Sequence, residues 1–133
     1  MAASDPIADA LTKIRNASRA GHPTVEVRCS RPLQQILEVL RQEGFIRTHK
    51  LLSEATPQRV LRVYLKYSGK KAPAITQLIR VSRPGVRQYR TASTLPRILG
   101  GMGVAVVSTS KGIMTERDAY RQRIGGELMC YVW

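Results

Sequence analysis

Cysteine is scarce in this chain. Cys29 and Cys130 stand far apart and belong to no C-x-x-C or Cys/His pattern, so zinc binding and thioredoxin-type redox chemistry have no residues to work with. Both suit small apolar core positions: Cys29 continues the alternation of Val25 and Val27, and Cys130 shares a face with Leu128 and Val132. Long apolar runs are missing too. None approaches the roughly 18 residues of a membrane helix, and Ala2-Ala3-Ser4-Asp5 is not the basic then apolar start of a secretory signal. The expected location is cytoplasmic, with an organelle matrix or stroma as the other option, and no membrane partner is expected.

Acidic residues are the third scarcity. Nine Asp and Glu face 22 Lys and Arg, a net charge of +13, and not one carboxylate lies between Ala55 and Thr115. Arg59, Arg62, Lys66, Lys70, Lys71, Arg80, Arg83, Arg87, Arg90, Arg97 and Lys111 all fall in that span. Paired-carboxylate and two-metal catalysis need clustered acids, but beyond the span only Glu116, Asp118 and Glu127 remain, and His22 and His49 sit in unrelated contexts. No metal site, cofactor or small-molecule substrate is expected. An acid-free basic segment repels itself unless a polyanion neutralises it, and nucleic acid is the leading partner. A membrane surface fits less well, because no basic amphipathic helix carries the excess.

What is present centres on Val104 to Gly112. The β-branched run Val104 to Val107, preceded by Gly100, Gly101 and Gly103, reads as a buried strand. It then turns polar in Ser108-Thr109-Ser110-Lys111-Gly112. Alternation predicts Ser108 and Ser110 on one face, Thr109 on the other and Lys111 just beyond. Such a tip suits a polar, anionic ligand; a solvated strand end turning at Gly112 is the other reading, and this stretch alone leaves both open. The Ser-x-x-Lys pattern it contains lacks the companion motifs of serine acyl-enzymes, and in those enzymes it opens a helix. Gly100-Gly101-Met102-Gly103 precedes a strand, whereas a phosphate loop follows one.

In chain order, Asp5-Pro6 opens a helix with Ile7, Leu11 and Ile14 on one stripe and Arg15 and Arg19 on another, ending at Gly21. A short strand over Thr24 to Cys29 precedes a second helix marked by Ser30 and Pro32, with Leu33, Ile36, Leu37 and Leu40 facing the core and Gly44 ending it. Strands follow over Phe45 to Leu52 and Arg59 to Tyr67, joined by a polar turn at Ser53 to Gln58; Arg62, Tyr64 and Lys66 share a face of the second. Ser68 to Pro73 has linker composition. Beyond it strands are expected over Ile75 to Ser82, Val86 to Arg90 and Glu127 to Trp133, with a turn at Arg83-Pro84-Gly85 and helical turns near Leu95 to Leu99 and Glu116 to Arg123. The last strand, apolar on both faces, should be central. The fold class is α+β in two small domains: residues 1–67, helix-strand-helix-strand-strand, and residues 74–133, mostly antiparallel β.

Asp5-Pro6-Ile7-Ala8-Asp9, Glu43-Gly44-Phe45-Ile46, Arg80-Val81-Ser82-Arg83-Pro84-Gly85, Ser108 through Thr115, and Gly125-Gly126-Glu127 leading to Cys130-Tyr131-Val132 together resemble the bacterial form of small-subunit ribosomal protein eight, in order and spacing over essentially the whole chain. The resemblance implies a non-enzymatic protein that binds a helical region in the central domain of small-subunit ribosomal RNA, supports assembly of the subunit platform and touches neighbouring ribosomal proteins. In some bacteria such proteins also repress their own messenger. Matching positions imply RNA contacts at Ser108, Thr109, Ser110, Lys111, Gly125, Gly126 and Glu127, and further at Tyr89, Arg15, Asn16, Ser30 and Arg31. The chain departs from the usual pattern at Ser30-Arg31-Pro32, where Pro32 removes an N–H at a helix start. The hydroxyls would read 2′-hydroxyls and base edges in a shallow RNA groove. Glu127, which only accepts, would select donors or hold Lys111.

Overall fold

The computed structural model describes residues 5–52, 59–70 and 72–133. The turn expected at Ser53 to Gln58, Lys71 and the first four residues lie outside them.

α1 (Pro6–Ala20) starts where Asp5 caps it, Asp5 Oδ1 accepting from Ala8 N at 3.1 Å, and ends at Gly21 with φ 78°. β1 (Thr24–Arg28) leads into α2 (Arg31–Gln42), whose N-cap Ser30 accepts from Leu33 N at 3.3 Å. Pro32 removes no bond there, because the cap reaches past it to Leu33 and first-turn N–H groups have no helical partner anyway. β2 (Ile46–Leu51) and β3 (Val60–Leu65) complete an antiparallel sheet of order β1-β3-β2. Leu11 and Ile14 from α1, Leu33, Ile36, Leu37 and Leu40 from α2, and Leu61, Val63 and Leu65 from β3 are buried together. Each such aliphatic side chain contributes about 1.5–3 kcal/mol of burial.

The second sheet contains β4 (Leu78–Arg80), β5 (Tyr89–Arg90), β6 (Val104–Thr109), β7 (Gly112–Thr115) and β8 (Gly126–Val132), with α3 (Glu116–Arg121) between β7 and β8. Its order is β4-β8-β6-β7, with β5 also on β8, all antiparallel. β8 is therefore central, as its two apolar faces require. Ile75, Leu78, Val104, Val106, Cys130 and Val132 join the same buried cluster as the helices, so the apolar core runs on from one sheet to the next. Burial pushes the Cys130 thiol up to about 12, leaving it an unreactive core group.

Several expectations are corrected. β6 does end in polar residues, at Thr109, but the chain then turns at Ser110 and Lys111 and returns as β7, a hairpin in which Thr109 pairs with Gly112. β7 has little sequence signature of its own, because Gly112 reads as a terminator although Ile113 and Thr115 alternate beyond it. Regular strand covers only part of Ile75 to Ser82 and Val86 to Arg90. Thr76 N and Gln77 N instead both donate to Trp133 O, at 2.6 and 2.9 Å. The helical turn expected near Leu95 is displaced into two 3-10 turns, Ala92–Thr94 and Leu99–Gly101. Cys29 lies just past β1 and is half-buried, its N–H donating to Arg59 O at 2.8 Å.

Candidate nucleic-acid interface

Gly126 and Glu127 open β8 with a strand on each side. Register places Tyr89 of β5 opposite Glu127, Glu127 opposite Ser108 of β6, and Ser108 opposite Ile113 of β7. Directly opposed residues share a face, so four separate stretches supply one row of side chains. Tyr89 is 64% exposed. The close approach of these strands needs both glycines. A Cβ on Gly126 would lie 2.2 Å from Ser108 O, and one on Gly125 would lie 2.3 Å from Arg90 O.

Glu127 Oε2 accepts from the Ser82 hydroxyl at 2.6 Å and from Arg87 Nη1 at 3.0 Å. Ser82 Oγ in turn accepts from Gln88 N at 2.9 Å, tying the start of β5 to the carboxylate. Partial burial alone would raise the Glu127 pKa. The Ser82 hydrogen bond, the Arg87 guanidinium and the more distant charge of Arg80 outweigh it and hold the carboxyl below its usual range. It stays ionised, an acceptor fixed through one oxygen. Its cation is Arg87, not Lys111.

Beside this row lies a cleft of about 520 Å³ that brings the starts of both N-terminal helices to the sheet: Asp5, Ser30 and Arg31 line it together with Ser108, Ile113 and Glu127. A buried ion pair fixes that approach. Arg80 Nε donates to Asp5 Oδ2 at 3.2 Å and Arg80 Nη1 to Met129 O at 2.9 Å. Val106 pairs with Cys130 and Val107 with Leu128, so Met129 is the extra residue of a β-bulge, whose side chain lines the same cleft.

The hairpin turn sorts the hydroxyls by task. Thr109 Oγ1 donates to Gly112 O at 2.8 Å and accepts from Lys111 N at 3.1 Å, so it is occupied in shaping the turn. Gly112, at φ 110°, takes the conformation that lets β7 return. Ser110 and Lys111 are exposed at the turn, and Ser108 is half-buried on the row. Ser108 and Ser110 therefore do not share a strand face.

The N-terminal candidates divide. Ser30 and Arg31 reach the cleft, with the Ser30 oxygen also capping α2. Asn16 is exposed on α1, nine residues or about 14 Å along the axis from Ile7 at the cleft. Arg15 turns inward, Nη1 donating to Leu78 O at 3.4 Å across to β4, and does not pair with Arg19 on an exposed stripe. Asp5, Arg80, Ser82 and Arg87 were not singled out as site residues. The sequence marks Arg80 and Arg87 as cations of the acid-free span and Ser82 as a strand end within Arg80-Val81-Ser82-Arg83-Pro84-Gly85, but nothing local ties Ser82 to a residue 45 positions away.

The sequence pattern of the family described as Ribosomal protein S8 matches residues 5–133. Proteins named small ribosomal subunit protein uS8 are 55% identical in Synechococcus elongatus, 51% in Anaeromyxobacter sp. (strain Fw109-5) and 47% in Halalkalibacterium halodurans, in each case over the full length of both chains.

Proposed function

The chain belongs to the ribosomal protein S8 family, and from this we propose that it is a structural constituent of the small ribosomal subunit that binds small-subunit ribosomal RNA without turnover. The observation that carries the reading is the row Tyr89–Glu127–Ser108, where an exposed aromatic ring, an ionised acceptor and a hydroxyl stand side by side on adjacent strands. An irregular RNA helix offers 2′-hydroxyls, amino groups and splayed bases to such a row, whereas B-form DNA has no 2′-hydroxyl. Ser110 and Lys111 at the hairpin turn, and Ser30 and Arg31 across the cleft, extend the contact. The Lys and Arg excess neutralises phosphates and supplies affinity with little sequence information.

In this reading residues 74–133 form the RNA-binding half, and residues 1–67 hold the cleft's far wall and meet neighbouring ribosomal proteins. The bound region is a helical segment of the central domain, and binding there supports assembly of the platform. A messenger folded like that segment would compete for the same row, which is how the chain would repress its own synthesis. The place of action is the ribosome. Footprinting on full-length small-subunit ribosomal RNA tests the reading: protection confined to one helical region of the central domain is expected, and protection spread evenly over the molecule would overturn it.

A further inference from the structure

α3 ends in a way its sequence does not favour. Ile124 N donates to Ala119 O and Arg123 N to Tyr120 O, each at 3.0 Å, the paired closure of a Schellman motif. The left-handed position of that motif is ordinarily glycine; here it is Arg123, at φ 57°. A Cβ is disfavoured in that conformation, so the arginine is kept at a conformational cost that glycine would avoid. Packing gives no reason for keeping it. Arg123 is exposed, and among the described residues no ion pair involves it. A strained residue with no structural return points to use of its side chain.

Arg123 lines a cleft of about 580 Å³ with Thr91, Ala92, Ser93, Tyr120 and Arg121. Tyr120 is 65% exposed. Arg121 reaches Asp118 only at 3.6 Å, and both side chains are well exposed, so the pair holds that guanidinium weakly in water. The Thr91 hydroxyl is engaged with Thr94 Oγ1 at 2.9 Å, which leaves the two arginines to meet a ligand. The cleft begins where the row described above ends. Thr91 follows Arg90 of β5 in the chain, the backbone of both lies against Gly125, and Arg123 stands two residues before that glycine.

We infer that Arg123, with Arg121 and Tyr120, forms a second phosphate-binding subsite, which receives the backbone of the same RNA just beyond the Gly125–Gly126 turn. The inference rests on the RNA-binding reading above. Guanidinium forks match the non-bridging oxygens of a phosphodiester, and the Tyr120 ring offers an apolar face to a ribose or base. Continuity with the row favours RNA over an acidic protein segment, because a strand leaving Glu127 along β5 passes Arg90 and Thr91 and arrives at these arginines.

Arg123→Gly removes the cation and relieves the backbone in one step, so folding is not at risk. Binding to a transcript of the central domain of small-subunit ribosomal RNA is measured across a salt series, alongside thermal unfolding. The expected result is a Tm equal to or above that of the parent, affinity several-fold lower, and a log–log salt slope smaller by about one. Arg123→Lys, which keeps the charge, should restore the slope. Unchanged affinity and slope in Arg123→Gly, on a transcript whose binding Ser110→Ala does weaken, would overturn the subsite and leave the row's role standing; the cleft would then serve an acidic protein surface. A parent chain that does not prefer this transcript to scrambled RNA would instead overturn the RNA reading itself, and the subsite with it.

Discussion

The Ser82 hydroxyl, fully buried, donates to Glu127 Oε2 at 2.6 Å while accepting from Gln88 N at 2.9 Å. One side chain thus holds both the carboxylate in the middle of the row and the backbone that leads into Tyr89. Ser82→Ala leaves a backbone N–H without its partner and leaves Glu127 held by Arg87 alone, at a cost of about 1–3 kcal/mol. Urea unfolding checks the cost. RNA affinity should fall as well, although the residue lies below the contact surface.

Glu127 gives a pH signature with a definite sign. Its folded pKa lies below that of an exposed glutamate, so its ionised form contributes stability that is fully present above the unfolded value of about 4.3 and is lost as pH falls through the folded value. The stability difference between the parent chain and Glu127→Gln should therefore be largest near neutral pH and narrow as pH falls below the unfolded value of about 4.3. Denaturation of both chains at several pH values tests this, and a pH-independent gap would contradict it.

Arg80 and Asp5 couple α1 to β4 through a pair whose side chains are only 6% and 17% exposed. Removing one partner strands the other charge. Asp5→Asn preserves a capping side chain yet should still destabilise by about 1–3 kcal/mol, because hydrogen bonds to charged groups are the stronger ones. In a double-mutant cycle with Arg80→Met, the coupling should reach about 1 kcal/mol. Additive losses would show that the pair is not coupled.

The glycines separate into demanding and permissive sites. Gly126→Ala drives a Cβ to 2.2 Å from Ser108 O, a backbone atom that cannot rotate away, so β6 and β8 must part at the row. Loss of RNA binding and a clear fall in Tm are expected. Gly69 has open space around its would-be Cβ, and Gly69→Ala should change stability by no more than about 0.5 kcal/mol.

Thr109 and Ser110 should behave differently although they are adjacent. Thr109→Ala removes two hydrogen bonds that shape the turn and should lower stability by about 1 kcal/mol. Ser110→Ala should leave the unfolding midpoint where it is and reduce affinity for the cognate RNA, with weak binding to generic duplex nearly unchanged. Equal loss on both RNAs would remove the discriminating role of Ser110.

Local chemistry wrote much of this molecule into the chain. Asp5-Pro6 and Ser30 start the two long helices, Gly21 ends the first, and Thr115 three residues before Asp118 opens α3, because each cap is a bond between near neighbours. The apolar stripes of α1 and α2 and the doubly apolar β8 were equally legible, and so was the basic character of the surface. The hairpin at Ser110-Lys111, the shortness of β4 and β5 and the inward turn of Arg15 were not, because edge pairing and long-range hydrogen bonds leave no periodic trace.

The sequence by itself determined which polar groups the chain has to offer: a run of hydroxyls, a Gly-Gly-Glu segment and a surplus of cations with few acids. Only the tertiary structure decided that Thr109 spends its hydroxyl on the turn while Ser110 has no partner among the described residues, that Glu127 is held by Ser82 and Arg87, and that Arg123 occupies a glycine's conformation beside the same turn. The reason is physical. Residue type and spacing set what a side chain offers, but whether its atoms are already spent depends on partners brought near by strand register and burial.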